Sequence, residues 1–134
     1  MDLKSLMRSD AGWGMTVLRV VTGVVYMGHG WPKFQGLDGT AGFFGGLGIP
    51  LPNLMAIVVA GVECIGGALL IIGFLTRIVS ALQAFVMLVA VLLVHLPNGM
   101  FGSGGYQWAL LLMAASIALM LEGGGKGSVD SKLS

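Results

Sequence analysis

Two charged side chains, Arg19 and Glu63, sit well inside otherwise apolar stretches, and any chemistry in this chain has to begin with them. An ionised group in the middle of a membrane-spanning helix costs at least ~2.5 kcal/mol on insertion scales, so each needs a partner. Counted from one common side, Arg19 lies about 9 Å deep and Glu63 about 18 Å deep, a gap that a long arginine side chain largely bridges. The expectation is an Arg19–Glu63 ion pair, or one hydrogen-bonded network containing both. Its role is either structural, fixing helix register, or functional.

His29, Lys33 and His95 gather toward the opposite side, with Tyr26 on the same helical stripe as Lys33. Two imidazoles and an ammonium near an interface suit an anionic or carbonyl-bearing head group, or a proton relay, because histidine titrates near neutral pH. An amphipathic quinone fits such a pocket, which makes His29, Lys33, His95 and Tyr26 the candidate ligand-binding residues. The competing reading has both histidines bonded only to loop carbonyls or water. Without carboxylate or thiolate companions at ligand spacing, the two histidines give no metal site. The single cysteine, Cys64, excludes an intramolecular disulfide and a C-x-x-C redox pair, and reads as an inert small residue. No nucleophile triad, phosphate loop or nucleotide fingerprint is present, and no catalytic residue is assigned. Electrons, if the protein handles them, must travel on something bound to it, and no motif encodes that cofactor.

The elements that position these residues follow from composition. Hydrophobic residues make up 56% of the 134 residues and charged ones 10%, whereas a soluble domain carries about 25% charged residues. So few charges cannot cover a water-facing surface, and a net charge of +1 without a basic cluster leaves nothing to attract nucleic acid. Four stretches are apolar enough to span a bilayer: Gly14 to Trp31, Pro52 to Leu75, Ile78 to Leu96 and Tyr106 to Leu121. At about 1.5 Å per residue they bracket the ~30 Å hydrocarbon layer. Lipid offers no partners to backbone amides, so the spans must be helical. The expected fold is an all-α integral membrane four-helix bundle, a single domain over 1–134.

At 100° per residue the first span puts Arg19, Thr22, Gly23, Tyr26, Gly30 and Lys33 on one stripe, with His29 at its margin. The second aligns Asn53, Ala56, Ala60, Glu63, Gly66 and Gly67, small residues that let a neighbouring backbone approach. The third offers Arg77, Ala81, Ala84, Leu88 and His95 as an inner face, and the fourth Gln107, Ala114 and Ala118. Only Thr76-Arg77 separates spans two and three, which demands a tight antiparallel hairpin. Between spans one and two, Asp38 can cap a short interfacial helix from Gly39 to Leu47, whose Phe43 and Phe44 would close over the histidines as a lid. The glycine-rich tail, 123–134, reads as mobile. Lys4, Arg8, Arg77, Lys126 and Lys132 fall on one side and only Lys33 on the other, which places both termini in the cytoplasm.

Taken together, Arg19, His29-Gly30-Trp31-Pro32-Lys33, Gly39-Thr40-Ala41-Gly42-Phe43-Phe44, Leu47-Gly48-Ile49-Pro50, Val62-Glu63 with Gly66-Gly67, and Gly73-Phe74-Leu75-Thr76-Arg77 resemble the DoxX family of small bacterial four-span membrane proteins. The likeness continues through His95, Gly104-Gly105 and the tail ending at Asp130, and so covers nearly the whole chain. It departs at Gln107, where relatives often carry a glutamate. The resemblance implies a bacterial inner-membrane location and a link with membrane oxidoreductase systems, among them a thiosulfate:quinone oxidoreductase with small membrane subunits of this kind.

The favoured expectation is a multi-pass membrane subunit of an oxidoreductase assembly, not catalytic alone, that anchors a partner protein and binds a quinone or lipid. The alternative is a structural accessory subunit of a larger membrane complex with no activity of its own. Transport of a small solute has less support, because only one deeply placed acid is present and no span is broken.

Overall fold

The computed structural model describes residues 12–133. Its long helices are α1 (Trp13–Gln35), α3 (Pro52–Ile72), α4 (Thr76–Ala90) and α5 (Gln107–Glu122), with α2 (Leu37–Gly46) between α1 and α3, and α6 (Val129–Leu133) at the end. No strand occurs among the described residues. Beyond Ala90 the helix continues through a π-helical turn, Val91–His95, and a 3₁₀ turn, Leu96–Asn98. By length and composition, Pro52–Ile72 and the continuous stretch Thr76–Asn98 are able to cross a membrane. The α3–α4 turn and α6 lie at one end of the molecule, here the tail face; α2 and the α4–α5 loop lie at the other, the loop face.

The closest packing is between α1 and α3, and glycine is what permits it. A methyl group at Gly23 would stand 2.5 Å from the Gly67 carbonyl oxygen, and one at Gly67 would stand 2.6 Å from that of Gly23. Gly30 lies directly on the Cys64 backbone in the same way. Backbones at this distance gain dispersion contacts that larger side chains would prevent. α4 packs on α5, and α1 meets α5 only sparsely.

The buried stripe of α1 is Arg19, Thr22, Gly23, Tyr26 and Gly30, as its periodicity indicates. That of α3 is Ala56, Ala60, Glu63, Gly66, Gly67 and Leu70; Asn53, assigned to it from sequence, is exposed at the first turn. The inner faces of the last two long helices differ from expectation. α4 buries Thr76, Val79, Ser80, Gln83 and Met87, while Arg77 and Leu88 point outward. α5 buries Ala109, Leu112, Ser116 and Leu119, leaving Gln107 and Ala114 exposed. Alanine was a poor guide there because the outward residues are equally apolar; mid-helix Ser80, Gln83 and Ser116, with Thr76, mark the interior instead. Val17, Val24, Ile65, Leu82, Phe85 and Leu111 are each more than half exposed, so every long helix presents large apolar side chains to its surroundings.

Element boundaries shift for identifiable reasons. α1 runs through Pro32 to Gln35, since a proline in the last turn forfeits little, and the Gly36 N–H closes the helix on the Pro32 and Lys33 carbonyls. α2 begins at Leu37, so Asp38 stands in its first turn instead of capping it. Its Ala41 and Phe44 pack with Ala56 of α3, whereas Phe43 is 53% exposed. The tail is not loose: it folds back over the tail face and ends in α6. Lys4 and Arg8, part of the charge asymmetry, lie outside the described residues.

The glycine seam makes a graded prediction. Gly67→Val should lower bundle stability by about 2 kcal/mol or more through overpacking, while Gly28→Ala, with open space around the added carbon, should cost nothing and add up to about 1 kcal/mol through helix propensity. Unfolding in a denaturing-detergent titration measures both.

Candidate functional site

At the tail face, charged side chains meet helix ends. Arg19 is 1% exposed; its Nη1 donates to the Leu70 and Ile71 carbonyls, each at 3.2 Å, and its Nη2 to the Gly127 carbonyl at 3.3 Å. The carbonyls of the last turn of α3 have no intrahelical partners, and a cation there also meets the negative end of the helix dipole. Gly73, with φ 76°, leaves the guanidinium its space, since a methyl there would collide with Arg19 Nη1 and the Ser128 Cβ. On the other side of the turn, Asp130 accepts the Leu75 N–H at 2.8 Å and the Thr76 N–H at 2.9 Å, at the positive start of α4. Arg77 donates to the Met120 and Leu121 carbonyls at the end of α5, at 3.1 and 2.5 Å.

The expected Arg19–Glu63 pair does not form. Helix register decides this: Arg19 stands level with Leu70 and Ile71, while Glu63 is seven residues, about 10 Å, further along α3. Glu63, 1% exposed, instead meets Lys33, whose Nζ lies 2.6 Å from Oε1 in an ion pair without hydrogen-bond alignment. The same ammonium donates to the His29 carbonyl at 3.2 Å. Lysine pairs with this acid because Gly30 brings α1 onto Cys64, one residue from Glu63.

Of the four candidate ligand-binding residues, two come together around an aromatic ring. The His29 ring stacks on Trp108 at 4.7 Å and 10°, and His95 meets the same indole edge-on at 5.0 Å and 74°. His95 is further held by its Nδ1, 3.0 Å from the Gly104 carbonyl. The π-helical turn ending at His95 widens α4 just before this contact. Lys33 stands beside the pair, engaged with Glu63. Tyr26 is placed differently: fully buried, with its Oη 2.5 Å from Ser116 Oγ, it ties α1 to α5 inside the bundle. Phe43 and Phe44 form no lid over the histidines, because α2 packs mainly on α3.

Below the His29–Trp108 stack, an apolar groove of about 570 Å³ runs between α1 and α5, walled by Leu18, Val21, Val25, Leu111, Leu112 and Ala115, with Thr22 as its polar point. From His29 to Leu18 it follows about 16 Å of helix. Sequence reasoning missed Trp108 as part of the site; an aromatic at the start of the last apolar stretch, level with two histidines, was the available signal.

The sequence profile of the DoxX family matches residues 14–96. Over 106 residues the chain is 42% identical to a Bacillus subtilis protein named "Putative oxidoreductase CatD", covering 79% of this chain and 78% of that one. The chain belongs to the DoxX family. It is also 27% identical to "Inner membrane protein YphA" of Escherichia coli, over 88% of this chain and 89% of that one. An uncharacterized membrane protein of Mycobacterium tuberculosis is 28% identical over 96% of this chain and 86% of its own length. No solved structure matches. The DoxX match takes in Arg19, His29, Lys33, Glu63 and His95; Trp108, Ser116 and Asp130, which complete their surroundings, lie beyond it.

Asp130 gives this family member a pH signature. Burial raises its carboxyl, but the Thr76 and Leu75 N–H groups, the Thr76 side chain and the Arg19 charge outweigh that and hold it below its ordinary 3.8. A carboxylate depressed in the folded state contributes its stabilisation above the unfolded value and loses it as pH falls through the folded one. Amide exchange at Leu75 and Thr76 should therefore stay protected, after correction for intrinsic rates, down to about pH 4 and fail below it. Asp130→Ala should cost those amides about 1 kcal/mol of protection at neutral pH.

Proposed function

We propose that this DoxX protein is a four-span inner-membrane subunit of an oxidoreductase assembly, and that the α1–α5 groove holds a quinone or lipid with its head group against His29, Trp108 and His95. The observation that carries the reading is the groove itself: a planar aromatic and imidazole surface at one end, and a long apolar trough below it. Amphipathic ligands with a ring at one end and a hydrocarbon chain at the other fit this division. Imidazole nitrogens supply hydrogen bonds to carbonyl oxygens, and the indole supplies a stacking face.

Outward-facing apolar side chains on all the long helices support the four-span reading, and the 16-residue α5 by itself covers about 24 Å, its flanks drawn inward making up the rest of the ~30 Å layer. Arg77, Lys126 and Lys132 lie at the tail face and Lys33 near the loop face, which favours cytoplasmic termini. The name of the B. subtilis relative supports an oxidoreductase setting. The chain offers no redox group of its own, so in this reading the electrons reside on the bound molecule and on a partner protein.

Purification from native membranes in mild detergent tests the proposal. Wild-type protein should carry an extractable quinone or lipid, and His29→Ala combined with Trp108→Leu should reduce its occupancy about tenfold, the equivalent of 1.4 kcal/mol. A neighbouring protein's helix recovered in place of a small molecule would support the structural-subunit reading instead.

A further inference from the structure

The interior holds a line of polar side chains whose oxygens lack well-formed hydrogen bonds within the protein. Thr76, Ser80 and Gln83 occupy successive turns of α4's inner face, and all three side chains are fully buried. Ser80 Oγ and Gln83 Oε1 have no hydrogen-bond partner, and Thr76 Oγ1, next to the Asp130 carboxylate, makes no bond of good geometry. Ser116, by contrast, bonds back to the Leu112 carbonyl as buried helical serines do. Gln83 Nε2 reaches across to the Val62 carbonyl at 3.3 Å and packs against Gly66, which brings the amide to the level of Glu63. At 100° per residue, Glu63 points between Gly66, which faces Gln83, and Gly67, which faces Gly23. Its side chain is therefore directed into the centre of the bundle, where Oε1 has the Lys33 ammonium as its partner.

Orphaned oxygens in a low-dielectric interior cost free energy unless water reaches them. The intervals fit water: Thr76 to Ser80 is about 6 Å of rise and Ser80 to Gln83 about 4.5 Å, spans that one or two bridging molecules cover. A source of water is at hand. A cleft of about 480 Å³ opens at the tail face, and Thr76 lines it together with Arg77, Glu122, Ser128 and Asp130. At the far end Glu63 meets Lys33, which is 28% exposed toward the loop face.

We propose that Thr76, Ser80 and Gln83 hold a file of water that admits protons from the tail-face cleft to the Glu63 carboxylate, and that the Lys33 ammonium closes the other end. The step is the reversible transfer of one proton from hydronium in the cleft to a carboxylate oxygen of Glu63, leaving water behind; no electrons move. A fixed ammonium at the exit repels hydronium and keeps the file from short-circuiting the membrane. The ionisable groups around Glu63 are Lys33, Tyr26 and His29, all from α1; α4 contributes the uncharged Gln83. The proposal stands apart from what occupies the α1–α5 groove.

Solid-state NMR of wild-type protein in liposomes, reading magnetisation transfer from water, tests the file directly. Ser80 and Gln83 should polarise at least about threefold faster than Leu82 and Phe85, their lipid-facing neighbours on the same helix. Equal rates would mean a dry interior and overturn the proposal. Proton admission is read in proteoliposomes under a potassium diffusion potential. Lys33→Gln should raise proton flux about tenfold over wild type by removing the electrostatic barrier, and adding Gln83→Leu should return it to the wild-type level. Flux in Lys33→Gln no greater than wild type, in protein that keeps the wild-type spectral fingerprint, would overturn the proton route.

Discussion

Every helix that ends inside or against an apolar layer leaves backbone groups that must find partners, and here three charged side chains supply them at a single face. Arg19 serves the carbonyl end of α3, Asp130 the amide end of α4 and Arg77 the carbonyl end of α5. Each charge has the sign that the helix dipole favours. Because the arrangement joins α1, the hairpin and the tail, the tail is part of the fold. Asp130 N–H donating to the Gly73 carbonyl, and Thr16 donating to the Lys126 carbonyl, fasten it further.

The hairpin itself shows why such anchoring is needed. Leu75 adopts φ 56°, a left-handed conformation that costs a non-glycine residue about 1–2 kcal/mol. It is tolerated where the surroundings over-determine it, and the Asp130 carboxylate does so by accepting the Leu75 N–H together with that of Thr76. Gly73 takes the other positive φ at the turn and leaves the cavity into which the Arg19 guanidinium fits. A two-residue connection in the sequence thus becomes a turn whose strain is offset by groups 55 residues away from it.

The faces of α1 and α3 were legible because polar and small residues recur there at helical spacing against large β-branched neighbours: Arg19, Thr22, Gly23, Tyr26 and Gly30 read as one stripe without any structure. α4 and α5 were not, since outward-facing and core-facing positions are alike in hydrophobicity and alanine marks neither. Thr76, Ser80, Gln83 and Ser116 carried the information and were passed over. The partners of the buried charges were beyond reach for another reason. Periodicity gives the face on which a residue lies, but not how far one helix slides along the next, and a shift of a few residues gave Glu63 to Lys33 and Arg19 to the end of α3. The tail's glycines suggested mobility, yet Gly124 and Gly125 lie close against Thr76 Oγ1 and the Gly12 carbonyl, where larger residues would hold the tail away.

The groove follows from the same close packing that stabilises the bundle. Glycines at 23, 30 and 67 draw α1 onto α3, and this commits α1's narrow side away from α5. At the loop face the indole of Trp108 then fills the space between α1 and α4, touching His29 on one and His95 on the other. Further in, nothing of comparable size follows Trp108 on that side of α5, where Ala115 lies, so the two helices stay apart and the trough remains open. His29, at the margin of α1's buried stripe, falls at its rim for the same geometric reason. A residue one step off the packing face is too far round to be buried against α3 and too polar to be left among exposed apolar side chains, and it stacks on Trp108.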